Sequence, residues 1–339
     1  MGAAMVGNKT TVKCQAAVGL PIEQFMRLLH ACGLPKDDID LISCRGPAME
    51  SLIRRAQPRM LQFTGSSQVS EQLNEVVKGR IRCEDSGYDW KVLGPDVSDI
   101  EYVAWQCDQD AYANAGQKCS AQSMLVAHSN WMKAGIVERL EKLAARRSLK
   151  DLTMGPCLSH TTEEILEHTK NLASLPGARL LFGGKEIEGH QIPKKYGAIV
   201  PTAVFVPLKS VMASEENFKA VTVELFGAFQ VVTEWGDGEE DLVIAMLERM
   251  SHHLTAAVVS KDNHFLQRML GNTVNGTTYA GLRARTTGAP QNHWFGPAGD
   301  SLAAGIGTRE AILQTWTCHR EIIFDHGPVP SGWTLPPPS

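Results

Sequence analysis

A chain of 339 residues exceeds the usual size of one hydrophobic core, so two domains are the first expectation. Hydrophobic residues make up 43% of the sequence, charged residues 21%, and the net charge is −4, which together give no basic surface for nucleic acid. No apolar run approaches the roughly 20 residues that a membrane helix needs, so a membrane partner is not expected either.

The first quarter of the chain alternates helical and strand patterns. Apolar spacing predicts helices at residues 22–32, 49–56 and 69–77, and short apolar runs predict strands at 40–44, 60–64 and 78–84. Strands separated by helices of this length favour βαβ units and a parallel sheet. Such a sheet binds ligands at the carboxyl ends of its strands.

The pattern resumes after Trp90 and favours a second α/β unit. Helices are predicted at residues 98–114, 131–147, 241–250 and 264–270, and strands at 124–127, 180–182, 198–206, 229–233 and 254–259. The last residues, from 327 onward, are rich in proline and predict an extended tail.

Eight cysteines lie far apart along the chain, and none forms a C-x-x-C pair or a cluster with zinc-ligand spacing. No signal or transit peptide is recognisable. We therefore expect reduced thiols and no metal site.

Cys119 is a candidate nucleophile in the motif NAGQKCS. Gly116 ends the preceding predicted helix, and the neighbouring Lys118 would make the thiol easier to ionise, which matters because the thiolate is the reactive form. The alternative is a small buried apolar cysteine with no chemical role.

Glu84 is a candidate general base, because it follows a predicted strand in the sequence RCEDSGYDW. A solvated acidic turn is the alternative. Gly65 and Ser66 lie between a strand and a helix, where backbone amides favour a phosphate, although a simple turn would have the same pattern. Glu224 and Phe226, in ELFG, could hold a ribose and pack a flat ring, or be a loop acid and a core aromatic.

These motifs occur in one recognisable order, and the chain resembles the aldehyde dehydrogenase family from residue 7 to about residue 325. FTGSS, the glutamate after a strand, GQKC and ELFG resemble the family signatures, and GNKTTVK resembles the strand whose final lysine contacts the adenosine ribose. Longer stretches, EDSGYDWKVLGPD, AWQCDQDAYANAGQKCSAQSM and CHREII, are similar to the plant-type 1-pyrroline-5-carboxylate dehydrogenases. Those enzymes oxidise glutamate γ-semialdehyde to glutamate in mitochondrial proline catabolism.

The resemblance implies a role for each residue that matches a family motif. Cys119 would be the nucleophile, and Glu84 would be the base that activates the hydrolytic water. The implied binding residues are Lys13 and Glu224 for the two riboses of NAD, Gly65 and Ser66 for its pyrophosphate, Phe226 for the nicotinamide, and Gly288, Ala289 and Phe295 for the amino-acid end of the substrate.

The resemblance also implies an α/β fold of aldehyde dehydrogenase type. An incomplete Rossmann-type cofactor domain would occupy residues 1–87, and an α/β catalytic domain would occupy residues 88–287. Residues 288–339 would form the substrate-anchor loop, the return to the cofactor domain and an oligomerisation tail. A small aldehyde substrate, the cofactor NAD, a homo-oligomer and a mitochondrial location are implied, with the cytosol as the alternative compartment.

Family members carry further cofactor-domain strands and an oxyanion-binding asparagine upstream of the segment that matches Gly7. This sequence starts at Met1, so we expect the chain by itself to bind NAD poorly and to turn over little or nothing. A truncated, inactive paralogue is therefore the alternative function. A cysteine hydrolase is a third reading, but no histidine lies in a matching motif.

Overall fold

The computed structural model describes residues 1–85, 87–287, 294–296, 300 and 302–338. Within these ranges the strands are β1 Thr10–Lys13, β2 Ile39–Ile42, β3 Leu61–Gly65, β4 Ile81–Asp85, β5 Trp90–Leu93, β6 Met124–His128, β7 Arg179–Phe182, β8 Thr202–Phe205, β9 Phe229–Trp235, β10 Thr255–Val259, β11 Thr277–Ala280, β12 Trp294–Phe295 and β13 Ala304–Gly305. The helices are α1 Gly2–Met5, α2 Gly19–Ala31, α3 Gly46–Ala56, α4 Ser67–Val77, α5 Ile100–Tyr112, α6 Ser129–Lys133, α7 Ile136–Ala144, α8 Thr162–Ala173, α9 Leu208–Val211, α10 Glu215–Val221, α11 Glu240–Glu248, α12 Asn263–Gly271 and α13 Arg309–Trp316. None of the described helices combines the length and the apolar surface needed to cross a bilayer.

A seven-stranded sheet with the order β11-β10-β5-β6-β9-β8-β7 forms the larger part of the fold. All neighbours in it are parallel except β7, which is antiparallel to β8. Val92 and Leu93 follow one another in β5 and enter two different hydrophobic clusters, which shows that both faces of the sheet are buried. Burial on both faces explains why strands such as β6 (MLVAH) are continuous apolar runs.

The first 85 residues form two smaller parallel pairs, β1 with β2 and β3 with β4. The parallel arrangement was predicted, but the described strands form two separate pairs where the pattern favoured one sheet. Ile53 of α3, Val77 of α4 and Ile81 of β4 share a small hydrophobic cluster that attaches these helices to the second pair. The Cys83 amide donates to the Leu302 carbonyl at 2.7 Å, so the C-terminal segment runs beside β4.

Several predicted boundaries differ from the observed ones for identifiable reasons. The helix predicted at 131–147 is two helices, because Gly135 has a left-handed backbone (φ 83°) between α6 and α7. The strand predicted from residue 78 begins at Ile81, because Lys78 (φ 55°) and Gly79 (φ 78°) terminate α4 in the left-handed region. The long strand predicted at 198–206 is limited to Thr202–Phe205.

Candidate active site

The candidate residues converge where the second strand pair meets the large sheet. Glu84 is near the carboxyl end of β4, where it pairs in register with Thr64. Cys119 and the ELFG motif instead precede β6 and β9, so they lie at the amino edge of the seven-stranded sheet. The prediction that ligands bind at the carboxyl ends of strands therefore fits β4 of the first 85 residues. The seven-stranded sheet contributes instead the loops that precede its strands β6 and β9.

The turn that carries Cys119 has an unusual backbone. After α5 ends, Asn114, Ala115 and Gly116 are all left-handed, with φ of 56°, 55° and 70°. A Cβ atom on Gly116 would lie 2.0 Å from the Gly227 carbonyl oxygen, which no side chain permits. The NAGQKC turn and the ELFG turn are thus in direct backbone contact, and Gly116 is the residue that allows it.

The Cys119 thiol and the Glu84 carboxyl group lie close enough to shift each other's pKa. Glu84 is buried, with 8% of its surface exposed, and Cys119 is half-buried. Burial raises the pKa of the Cys119 thiol, and the adjacent Glu84 charge raises it further. Burial also raises the pKa of Glu84, while its interaction with Cys119 lowers it by less. The thiol is consequently protonated at neutral pH, and Glu84 is positioned to accept its proton.

Lys118 does not activate Cys119 as the sequence suggested. Its ammonium group donates to the carbonyl oxygen of Gln109 at 3.0 Å. Burial lowers the pKa of Lys118 to about 8; the Asp110 charge opposes this shift, and the nearby cations add to it. The pKa of the neighbouring thiol is raised, so the expectation of an easily ionised cysteine was wrong.

Asp89 is a buried acid that the sequence pattern did not indicate. It is 1% exposed, and its Oδ1 atom accepts a hydrogen bond from the Thr255 amide at 2.9 Å. Its Oδ2 atom has no hydrogen-bond partner among the described residues. Burial raises the pKa of Asp89 well above its usual range, and the charges of Glu224 and Glu84 act in the same direction. The signal available in the sequence was the position of this acid directly before Trp90. An acid at the entrance of a strand is ordinarily solvated, so this signal alone did not indicate burial.

The ELFG turn lies against the same place. Glu224 and Phe226 line a cleft with Tyr88, Gly116 and Lys118. Phe226 has a left-handed backbone (φ 48°), and 36% of its surface is exposed. An exposed aromatic face in a narrow cleft suits a flat ring, and the half-buried Glu224 is an acceptor for a hydroxyl group.

The turn is fixed from behind by a third segment. The Leu225 carbonyl accepts hydrogen bonds from the Ser159 hydroxyl at 2.8 Å and contacts His160 Nδ1 at 2.9 Å. Holding the backbone in this way keeps the exposed ring of Phe226 directed into the cleft.

The residues predicted to bind the cofactor phosphates fit an anion. Gly65 ends β3, and Ser66 is the N-cap of α4 without a hydrogen bond from its side chain to the helix. The first-turn amides of an 11-residue helix are therefore available to an anionic ligand instead of to the cap. The Ser67 hydroxyl contacts His252 Nε2 at 2.9 Å and joins this helix end to the turn before β10.

Lys13 ends β1 in the other strand pair and is exposed. Its predicted contact with a ribose stays a prediction. Gly288 and Ala289 lie outside the described residues, and Phe295 is described only as the second residue of β12, which pairs with β13.

Comparison with known proteins gives two kinds of finding, the first from sequence. The aldehyde dehydrogenase family model matches residues 1–320. The chain is 60% identical over 337 residues to Delta-1-pyrroline-5-carboxylate dehydrogenase 12A1, mitochondrial, of Arabidopsis thaliana, and 58% identical over 337 residues to a probable aldehyde dehydrogenase of Linum usitatissimum. Each alignment covers 99% of this chain and 61% of the relative, so the chain spans 61% of the length of these curated relatives.

The second finding is structural. The fold matches a gamma-glutamyl-gamma-aminobutyraldehyde dehydrogenase from Burkholderia cenocepacia with a TM-score of 0.78 and 20% identity, over 93% of this chain and 62% of that one. It also matches a bifunctional proline utilization A protein with a TM-score of 0.74 and 21% identity, over 92% of this chain and 31% of that one. These likenesses confirm the predicted α/β fold class.

Proposed function

The chain belongs to the aldehyde dehydrogenase family, and we propose that it catalyses the NAD-dependent oxidation of L-glutamate γ-semialdehyde to glutamate. The observation that carries the proposal is the close approach of the Cys119 thiol and the buried Glu84 carboxyl group. A nucleophile in contact with a base is the arrangement that covalent catalysis needs. The substrate is proposed because the Arabidopsis relative, at 60% identity, is named for 1-pyrroline-5-carboxylate.

The proposed reaction uses the two residues in turn. Glu84 takes the thiol proton, and the Cys119 sulfur forms a bond to the aldehyde carbon, which leaves an alkoxide. When bound, NAD supplies the acceptor for the hydride that leaves this carbon. Glu84 first gives up the thiol proton to solvent. It then removes a proton from water, which attacks the resulting thioester, and the C–S bond breaks to release the acid and the Cys119 thiolate, which takes the proton back from Glu84. Glu84 is near enough to Cys119 to serve both steps.

We assign the remaining residues of the site by the same reasoning. Lys13 and Glu224 would bind the riboses of NAD, Gly65 and Ser66 the pyrophosphate, and Phe226 the nicotinamide ring. The uncapped first turn of α4 and the exposed ring of Phe226 support the last two assignments. Gly288, Ala289 and Phe295 would bind the amino-acid end of the substrate. We also propose a mitochondrial location, a homo-oligomer and domain boundaries at residues 87 and 287.

Formation of NADH from NAD and glutamate γ-semialdehyde tests the proposal. We expect a low but measurable rate from the unsubstituted protein, with Cys119→Ser below a few per cent of that rate, because a serine hydroxyl is a weak nucleophile. Cys32→Ser is the matched control, since Cys32 is an exposed cysteine after α2 and should be neutral. Calorimetric titration of NAD into the monodisperse protein runs in parallel. Absence of both NAD binding and NADH formation would contradict the proposal and favour an inactive paralogue.

A further inference from the structure

Asp110 of α5 is a fully buried carboxylate that joins three parts of the chain. The Lys91 ammonium group of β5 lies 2.7 Å from its Oδ2 atom, and both side chains are 0% exposed. Arg285 Nε donates to Oδ1 at 2.9 Å, and the Thr286 amide donates to Oδ2 at 2.9 Å. The Thr287 hydroxyl completes the set with a bond to Oδ1 at 2.9 Å.

The main chain of the same residue holds the turn that carries the proposed nucleophile. The Asp110 carbonyl accepts a hydrogen bond from the Gln122 amide at 3.1 Å, three residues after Cys119. One residue earlier, the Gln109 carbonyl accepts from Lys118 at 3.0 Å. The last turn of α5 is therefore bonded on one side to the Cys119 turn and on the other to residues 285–287.

The charges around Asp110 favour its ionised form. Burial alone would raise the pKa of this carboxyl group, but Lys91 and Arg285 outweigh burial and hold the pKa below its usual range. Buried ion pairs are commonly no more stable than apolar replacements of the same shape. Stability alone therefore does not explain why two cations surround one buried acid. A need to fix the position of a segment does explain it.

Residues 283–285 have two further attachments to α5. The Gln106 side-chain amide donates to the Arg283 carbonyl at 2.9 Å, and the Arg285 guanidinium lies 5.5 Å from the centre of the Trp105 ring. Thr287 is followed directly in the sequence by Gly288, which the proposed function assigns to the charged end of the substrate. The position of residue 287 relative to Cys119 is thus set by Asp110.

We propose that Asp110 is a positioning residue that fixes residues 285–287 at a set distance from the Cys119 turn and thereby favours aldehydes that carry a distal carboxylate. The inference rests on the proposed function. It predicts that loosening the Asp110 contacts affects the binding of the charged end more than the chemistry at Cys119.

Arg285→Gln is the informative variant, because Arg285 is 25% exposed and its loss leaves the fully buried Lys91–Asp110 pair in place. We expect kcat/KM for glutamate γ-semialdehyde to fall about tenfold, mainly through KM, as for one lost charge-assisted hydrogen bond. For pentanal, an uncharged aldehyde of similar length, kcat/KM should stay within about twofold. Arg285→Lys should recover part of the loss, since it keeps the charge without the fork.

The matched control is Arg283→Gln, an exposed arginine two residues away whose backbone carbonyl, not its side chain, makes the bond to Gln106. It should leave both substrates unchanged. Thr287→Val removes only the hydroxyl bond to Asp110 and should shift the selectivity in the same direction as Arg285→Gln. Equal losses on both aldehydes in these variants would mark Asp110 as merely structural and overturn the proposal.

Calorimetric titration with L-glutamate separates this proposal from the proposed function. If the protein forms no NADH but binds L-glutamate, and Arg285→Gln weakens that binding where Arg283→Gln does not, the positioning role holds and the dehydrogenase assignment fails. If NADH forms and Arg285→Gln changes neither glutamate affinity nor selectivity, only the positioning role is overturned. Absence of both glutamate binding and turnover overturns both.

Discussion

Substitution of Gly116 by alanine should perturb the junction between the NAGQKC and ELFG turns. The new Cβ would lie 2.0 Å from the Gly227 carbonyl oxygen and 3.0 Å from the Ala111 carbonyl oxygen, at a backbone φ of +70°. The left-handed conformation costs an alanine about 1–2 kcal/mol, and overpacking adds roughly 1–3 kcal/mol, because backbone atoms cannot rotate away. We expect the free energy of unfolding to fall by about 2–5 kcal/mol, unless the turn shifts and moves Cys119 away from Glu84.

Two measurements cover both outcomes. Urea unfolding followed by the fluorescence of the seven tryptophans should show a lower midpoint for Gly116→Ala. The rate of Cys119 acylation by p-nitrophenyl acetate reports the position of the thiol. Gly155→Ala is the matched control, since nothing lies within 4 Å of its new Cβ and no positive φ is required there. The reasoning would be refuted if Gly116→Ala matched Gly155→Ala in both the midpoint and the acylation rate.

The remaining predictions concern the acids around Cys119. Glu84→Gln should give one burst of NADH without steady turnover, because loss of the Glu84 charge lets the thiol ionise to solvent, whereas hydrolysis of the thioester needs the base; normal steady-state turnover would remove Glu84 from the mechanism. The same variant should alkylate faster with iodoacetamide at a fixed pH, because removal of the Glu84 charge lowers the pKa of Cys119; an unchanged alkylation profile would contradict the electrostatic account. Asp89→Asn should change the pH dependence of stability. Because the pKa of Asp89 is raised in the folded protein, its contribution to the free energy of unfolding is present at low pH and is lost as the pH rises through the folded-state pKa. The stability of the variant should therefore increase relative to that of the parent protein as the pH rises. Urea midpoints of the two proteins that run parallel across the pH range would contradict this.

The sequence predicted most helices and strands that have a clear apolar period. It missed β5, an interior strand of the large sheet, although residues 90–93 are entirely buried. The reason is Lys91, a charged residue inside a short apolar run, whose burial is explained only by Asp110 of a different element. It also missed α8, although Thr161 and Glu164 form a capping box that can be read directly from the sequence.

The candidate site was predictable as a set of motifs and not as an electrostatic arrangement. Cys119 and Glu84 are 35 positions apart in the sequence, and their contact depends on how the second strand pair meets the amino edge of the large sheet. The sign of the thiol pKa shift was predicted wrongly because Lys118 is a sequence neighbour, while the spatial neighbours are Glu84 and Asp89. Sequence adjacency says little about which charge faces a buried group.

A raised thiol pKa is compatible with the proposed nucleophile. Thiolates of higher pKa are intrinsically more nucleophilic. Cys119 would therefore have a smaller thiolate population, but each thiolate would be more reactive. Glu84 compensates for the small thiolate population, because burial raises its pKa and so makes its carboxylate a stronger base. The proton can then pass from the thiol to Glu84 when the aldehyde arrives, and no free thiolate has to persist in the resting protein. A protonated thiol is also less susceptible to oxidation, so the acidic surroundings of Cys119 would restrict its reactivity to the moment at which Glu84 takes the proton.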